Sequence, residues 1–172
     1  MDPVIVTGSS SVVEGELARL RRLQQDGKHE DVLDQVAGLV GDYPENRDLL
    51  LLVATSQRHL MRIPEALATL ERLEAVQPRF SRMHQERGLC HVALRDAPQA
   101  IEALLRAVNI NPALPMSWRM LDGLYRMTGE AENAAMAASH VAILKDLPAE
   151  VLTATSLFSD GELAHAEAGR RG

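Results

Sequence analysis

The sequence predicts an all-α protein built from a repeated helix pair, and three observations lead there. First, one period recurs in independent columns: Pro44, Pro78 and Pro112 are 34 residues apart, as are Val32, Ala66, Ala100 and Ala134. Leu33, Leu67, Ile101 and Ala135 repeat the ladder one step on, and Pro64 and Pro98 keep the same interval. Second, each period carries apolar residues at helical spacing, as in Ala66, Leu67, Leu70 and Leu73. Third, strand-like alternation is absent after residue 13. A fixed period of this length marks a repeat architecture in which each unit buries its apolar face against its neighbours.

Taken in order, residues 1–12 read as a flexible N-terminal extension. Overlapping its end, VIVTGSSSVVEG at residues 4–15 has the outline of a dinucleotide-binding strand and Gly-rich turn. Val12 and Glu14 occupy the two later glycine positions, and their side chains would block a pyrophosphate from the backbone. The four repeats then span about 13–46, 47–80, 81–114 and 115–147. Their first helices fall at roughly 14–26, 47–61, 81–95 and 115–128, and GKHEDVLDQVAGLVGDYP, RIPEALATLERLEAVQP and RDAPQAIEALLRAVNINP supply second helices. Pro64 and Pro98 stand near helix starts, where a missing N–H costs little. Pro44, Pro78 and Pro112 end segments, because the residue before a proline avoids the helical region. Residues 148–172 are expected to form a capping helix and the start of an incomplete fifth repeat. There Gly161 and Ala166 reproduce the spacing of Gly129 and Ala134.

LPMSWRMLDGLYRMTGEAENA, residues 114–134, resembles the tetratricopeptide repeat, whose pattern is Trp-x2-Leu-Gly-x2-Tyr, then Ala-x3-Phe, then Pro. Trp118, Leu121, Tyr125 and Ala134 match. Asp122 stands where the small glycine belongs, and Ala138 replaces the Phe. The same positions carry Leu50, Val53, Ala54, Gln57, Ala66, Leu70 and Pro78 in the second repeat. In the third they carry His84, Arg87, Gly88, His91, Ala100, Leu104 and Pro112. The resemblance covers about residues 13–147 and implies a right-handed superhelical solenoid that binds proteins. More narrowly, ALLRAVNINPALPMSWRMLDGLYRMTGE with LKDLPAEVLTATSLFSDGELAHAEA is similar to the N-terminal array of bacterial tetratricopeptide-repeat sulfotransferases. Those proteins carry a C-terminal nucleotide-binding domain for which this sequence offers no phosphate-binding loop. The resemblance implies a scaffold, with a partner- or substrate-positioning array of a sulfotransferase-like protein as the alternative.

A formal charge of −6 argues against general nucleic-acid binding, which needs a basic footprint. No apolar run reaches the roughly 18 residues of a membrane span. The single Cys90 excludes an intramolecular disulfide and fits a reducing compartment, so the expected location is cytoplasmic. Aromatic residues make up only 3% of the chain, which leaves Leu, Ala, Val and Met to fill the core.

Nothing in the sequence resembles a catalytic constellation, and no cofactor or metal is expected. Cys90, His84 and His91 could suggest a metal site or a Cys–His nucleophile. The repeat register instead places His84 and His91 where Trp118 and Tyr125 stand, as rings packed between helices. Basic residues are 16 Arg and only two Lys, and residues 47–112 carry a net +2 between ends of −5 and −3. By the register of the resemblance, first helices line the concave groove. Arg21, Gln24, Arg58, His59, Arg82, Gln85, Arg119, Met120, Arg126 and Met127 would then point inward. Arginine forks grip carboxylates and methionine adapts to apolar side chains. The expected partner is therefore an acidic peptide or protein segment, set against the alternative that these arginines are merely solvated or paired on the surface. The carboxylate clamp of chaperone-binding members is not preserved, since Leu17, Arg21, Leu52, Arg82 and Glu86 stand at its positions. An incomplete last repeat would leave an apolar end that a second copy could cover, giving a homo-oligomer.

Overall fold

The computed structural model describes residues 7–160, and the side chains of residues 12–160. The expectations for Gly161, Ala166 and the incomplete fifth repeat lie outside these residues. The described chain is all-α, without strand, and falls into two compact units that meet in sequence at Val76 and Gln77. The first contains α1 (Thr7–Gln25), α2 (His29–Asp42), α3 (Arg47–His59) and α4 (Ile63–Val76). The second contains α5 (Ser81–Ala93), α6 (Ala97–Ile110), α7 (Pro115–Met127), α8 (Ala131–Lys145) and α9 (Ala149–Ser159). Helix α1 starts at Thr7, within the stretch expected to be an extension, and no proline interrupts it.

The turns inside the helix pairs repeat as faithfully as the prolines do. Gly27, Met61, Arg95 and Gly129 all have positive φ, at 77°, 61°, 58° and 78°. Their numbers rise by the same period of 34. After each, a backbone N–H reaches the carbonyl five residues back: Lys28 to Leu23, Arg62 to Gln57, Asp96 to His91 and Glu130 to Tyr125. This left-handed closure satisfies carbonyls that a helix end leaves open. Two of the four turns use glycine, for which the conformation costs nothing sterically; Met61 and Arg95 adopt it against their Cβ.

Second helices stop just before their prolines: α2 at Asp42, α4 at Val76 and α6 at Ile110. Starts are less uniform. Asn46 caps α3 by accepting from the N–H groups of Asp48 and Leu49 at 3.1 and 3.0 Å. Asp96 caps α6 by accepting from Gln99 at 3.3 Å. Phe80 and Leu114, ahead of α5 and α7, have no side chain that can cap.

Each unit has its own core. In the first, Val13, Leu17 and Leu20 of α1 pack with Val32, Val36, Leu49 and Leu52. In the second, Ala100, Leu104 and Val108 of α6 pack with Trp118, Leu121, Leu124 and Tyr125 of α7 and Ala134, Ala137 and Leu144 of α8. Gly88 of α5 lets α6 approach: a Cβ there would stand 2.6 Å from Cγ of the fully buried Leu104.

Candidate functional site

Trp118 and Tyr125 are core residues, 6% and 5% exposed. The Trp118 indole N–H donates to the Pro112 carbonyl at 2.9 Å, and its ring stacks on His140 with centroids 3.9 Å apart. One period earlier, buried His84 repeats the arrangement, its Nε2 lying 2.9 Å from the Pro78 carbonyl. The smaller ring leaves room. His84, Arg87 and His91 of α5 with Glu102 and Arg106 of α6 border a cleft of about 140 Å³, in which Arg106 pairs with Glu102 at 3.0 Å. Cys90 is buried. Among the described residues, no group of three or more His, Cys, Asp or Glu is placed to hold a metal ion, and no helix is long and apolar enough to cross a membrane.

The arginines singled out from the sequence are largely engaged with their own chain. In the first unit, Arg21 lies 3.5 Å from Asp48. Gln24 donates to the Leu52 carbonyl and to Ser56 Oγ, tying α1 to α3. The rings of His59 and His29 stack at 4.4 Å, and Arg58 Nη2 lies 3.3 Å from His59 Nε2. Apart from the Arg58–His59 contact within α3, these contacts tie α3 to α1 and α2, so only part of each polar side chain remains for a ligand.

In the second unit the groups fall on α5 and α7. Ser117 Oγ donates to Gln85 Oε1 at 2.7 Å and links the two helices. Arg119 and Arg126 are exposed and, among the described residues, reach along their own helix. Arg119 Nε donates to the Pro115 carbonyl at 3.4 Å, and Arg126 Nε to Asp122 at 2.7 Å. The hydrogen bond and charge of Asp122 raise the pKa of Arg126, which stays fully charged. Met127 is 80% exposed beside them, while Met120 is partly covered against the core.

Arg82 differs from these. It lies over the Phe80 ring at 5.1 Å, and its Nε is 3.6 Å from Oδ2 of Asp160. Asp160 follows α9, and its side chain is 0% exposed. Its Oδ1 accepts from the Ser81 N–H and its Oδ2 from the Ser81 hydroxyl, both at 2.8 Å. Neither Asp160 nor Ser81 belongs to a repeat column, and 79 residues separate them, so the sequence carries no signal for the pair.

Helix pairs, left-handed turns every 34 residues and proline stops define a tetratricopeptide-repeat fold. Known structures share it. TTC0263, a thermophilic TPR protein of Thermus thermophilus, is 23% identical with a TM-score of 0.69, over 90% of this chain and 86% of that one. Two structures of MamA are 15% and 16% identical with TM-scores of 0.63 and 0.64. They cover 85% and 94% of this chain and are themselves covered over 85% and 88%. No family model matches the sequence, and no curated protein matches it.

Proposed function

We propose that this chain is a non-enzymatic scaffold that binds an acidic peptide or protein segment on the exposed faces of its first helices. The observation that supports it is the α7 face. Arg119 and Arg126, seven residues apart, are both exposed in a chain of net charge −6, and among the described residues their contacts lie within their own helix. Exposed local contacts of this kind are weak, because water solvates both partners, so a carboxylate ligand competes with them at small cost. Met127 adds an adaptable apolar surface next to the charges.

The test is a titration of a fluorescent acidic peptide library against the wild type and an Arg119→Glu/Arg126→Glu variant. The variant is expected to bind the wild type's best peptides at least about fivefold more weakly, on the scale of two exposed charge contacts. Equal binding by both proteins sinks the proposal.

A further inference from the structure

The third repeat is built differently at its packing columns. The positions of Trp118, Leu121 and Tyr125 in the fourth repeat hold His84, Arg87 and His91 one period earlier. The fourth repeat buries all three and stacks the His140 ring on Trp118, with centroids 3.9 Å apart. In the third, Arg106 stands in the place of His140 and pairs with Glu102 at 3.0 Å. A cleft of about 140 Å³ remains between α5 and α6, bordered by His84, Arg87, His91, Glu102 and Arg106. That is several times the roughly 30 Å³ share of one liquid water, so a small polyatomic ion fits.

The chemistry around the cleft is that of an anion site. Two guanidiniums and two imidazoles face a single carboxylate. His84 spends its Nε2 on the Pro78 carbonyl and serves as a wall. His91 is different. Its Nδ1 is buried and, among the described residues, has no hydrogen-bond partner. Buried polar atoms are nearly always bonded in native proteins, so an unpartnered one on a residue beside a cleft points to a group from outside the chain. Glu102 and Arg106 are both more than half exposed, at 56% and 55%, so their pairing is weak and a stronger anion displaces it at small cost.

We propose that the α5–α6 cleft binds a phosphate group, with the Arg87 and Arg106 guanidiniums as its charge partners and the His91 ring as a further donor. Three nitrogen-bearing side chains on two helices suit four tetrahedral oxygens better than the two coplanar oxygens of a carboxylate. The group is a phosphate dianion, free or carried on a side chain of a partner. Its lining residues occupy packing columns of the repeat rather than groove columns, so the site goes beyond the scaffold reading.

The first probe is inorganic phosphate, titrated into the full chain at about pH 7, where a phosphate monoester carries nearly two charges. Sodium chloride at equal ionic strength is the reference, and amide and imidazole NMR signals are the readout. Saturable shifts at α5 and α6, absent with chloride, are expected. Arg106→Gln should weaken binding about fivefold, and Glu102→Gln, which removes the competing carboxylate, should tighten it several-fold. Both positions are exposed, and a gain of affinity cannot come from misfolding. Shifts that do not saturate overturn the proposal, as does wild-type affinity in either variant. N-acetylphosphoserine amide is the second probe. Binding at the same signals assigns the site to a phosphorylated side chain, whereas phosphate binding without it assigns the site to the free ion. The phosphate effect is read at α5 and α6 and the Arg119→Glu/Arg126→Glu effect at α7, so either can fail alone.

Discussion

Trp118 and His84 answer the same structural demand with rings of different size. Each bonds the carbonyl of a proline six residues back, which fixes its ring between two helices. Truncating a ring so placed leaves a cavity that the helices only partly close. Trp118→Ala is expected to cost about 3–5 kcal/mol, and thermal unfolding followed by circular dichroism checks it. The turns at Met61 and Arg95 point the other way. Each holds a side chain in the left-handed region, which costs about 1–2 kcal/mol relative to glycine before glycine's extra chain entropy is subtracted. Arg95→Gly, at an exposed position whose counterparts are Gly27 and Gly129, should therefore stabilise the chain by about 0.5–1 kcal/mol in urea unfolding. No change, or a loss, would show that the Arg95 side chain contributes contacts that offset its backbone strain.

Among the helices, α5 and α6 approach through Gly88. The Leu104 side chain fills the space that a Cβ would need, and both atoms nearest to it belong to a fully buried residue. Gly88→Ala is expected to destabilise by about 1–3 kcal/mol through overpacking. A companion Leu104→Ala change should recover part of the added methyl's penalty, which a double-mutant cycle would read as coupling. The register gives a reason to expect this. One period on, Asp122 replaces the glycine and Ala138 stands where Leu104 does, a larger residue at one position accompanied by a smaller one at the other. Helix α9 buries none of its own residues fully; Leu152 packs against the core, and Asp160 ties the end of the helix to Ser81 of α5.

Across the chain as a whole, charge is the property that bears on partners. On the proposed reading, the net −6 would repel an acidic ligand at long range, while the exposed arginines of α7 would attract it at contact. At the roughly 8 Å Debye length of physiological salt the long-range repulsion is largely screened. Raising salt from about 0.15 to about 0.5 M should then weaken binding of an acidic peptide several-fold, since the remaining attraction is between exposed groups. Salt-independent affinity in fluorescence anisotropy would mean that apolar contacts, not the arginines, carry the binding.

The helical class, the period, the proline stops and the packing role of Trp118 were all legible in the order of residues. They follow from local preferences and from columns that repeat, so each copy reports on the others. Gly27 and Gly129 are residues that a left-handed turn favours, whereas Met61 and Arg95 give no such sign. In those two repeats the tertiary packing overrides a local preference worth only about 1–2 kcal/mol. The register placed arginines on one face but could not say which of them are already partnered. Arg21 with Asp48 and Arg82 with Asp160 are contacts between segments far apart in the chain. The meeting of Ser81 with Asp160 came from the packed chain alone, since a hydrogen bond across 79 residues leaves no periodic trace and depends on where the last helix comes to rest.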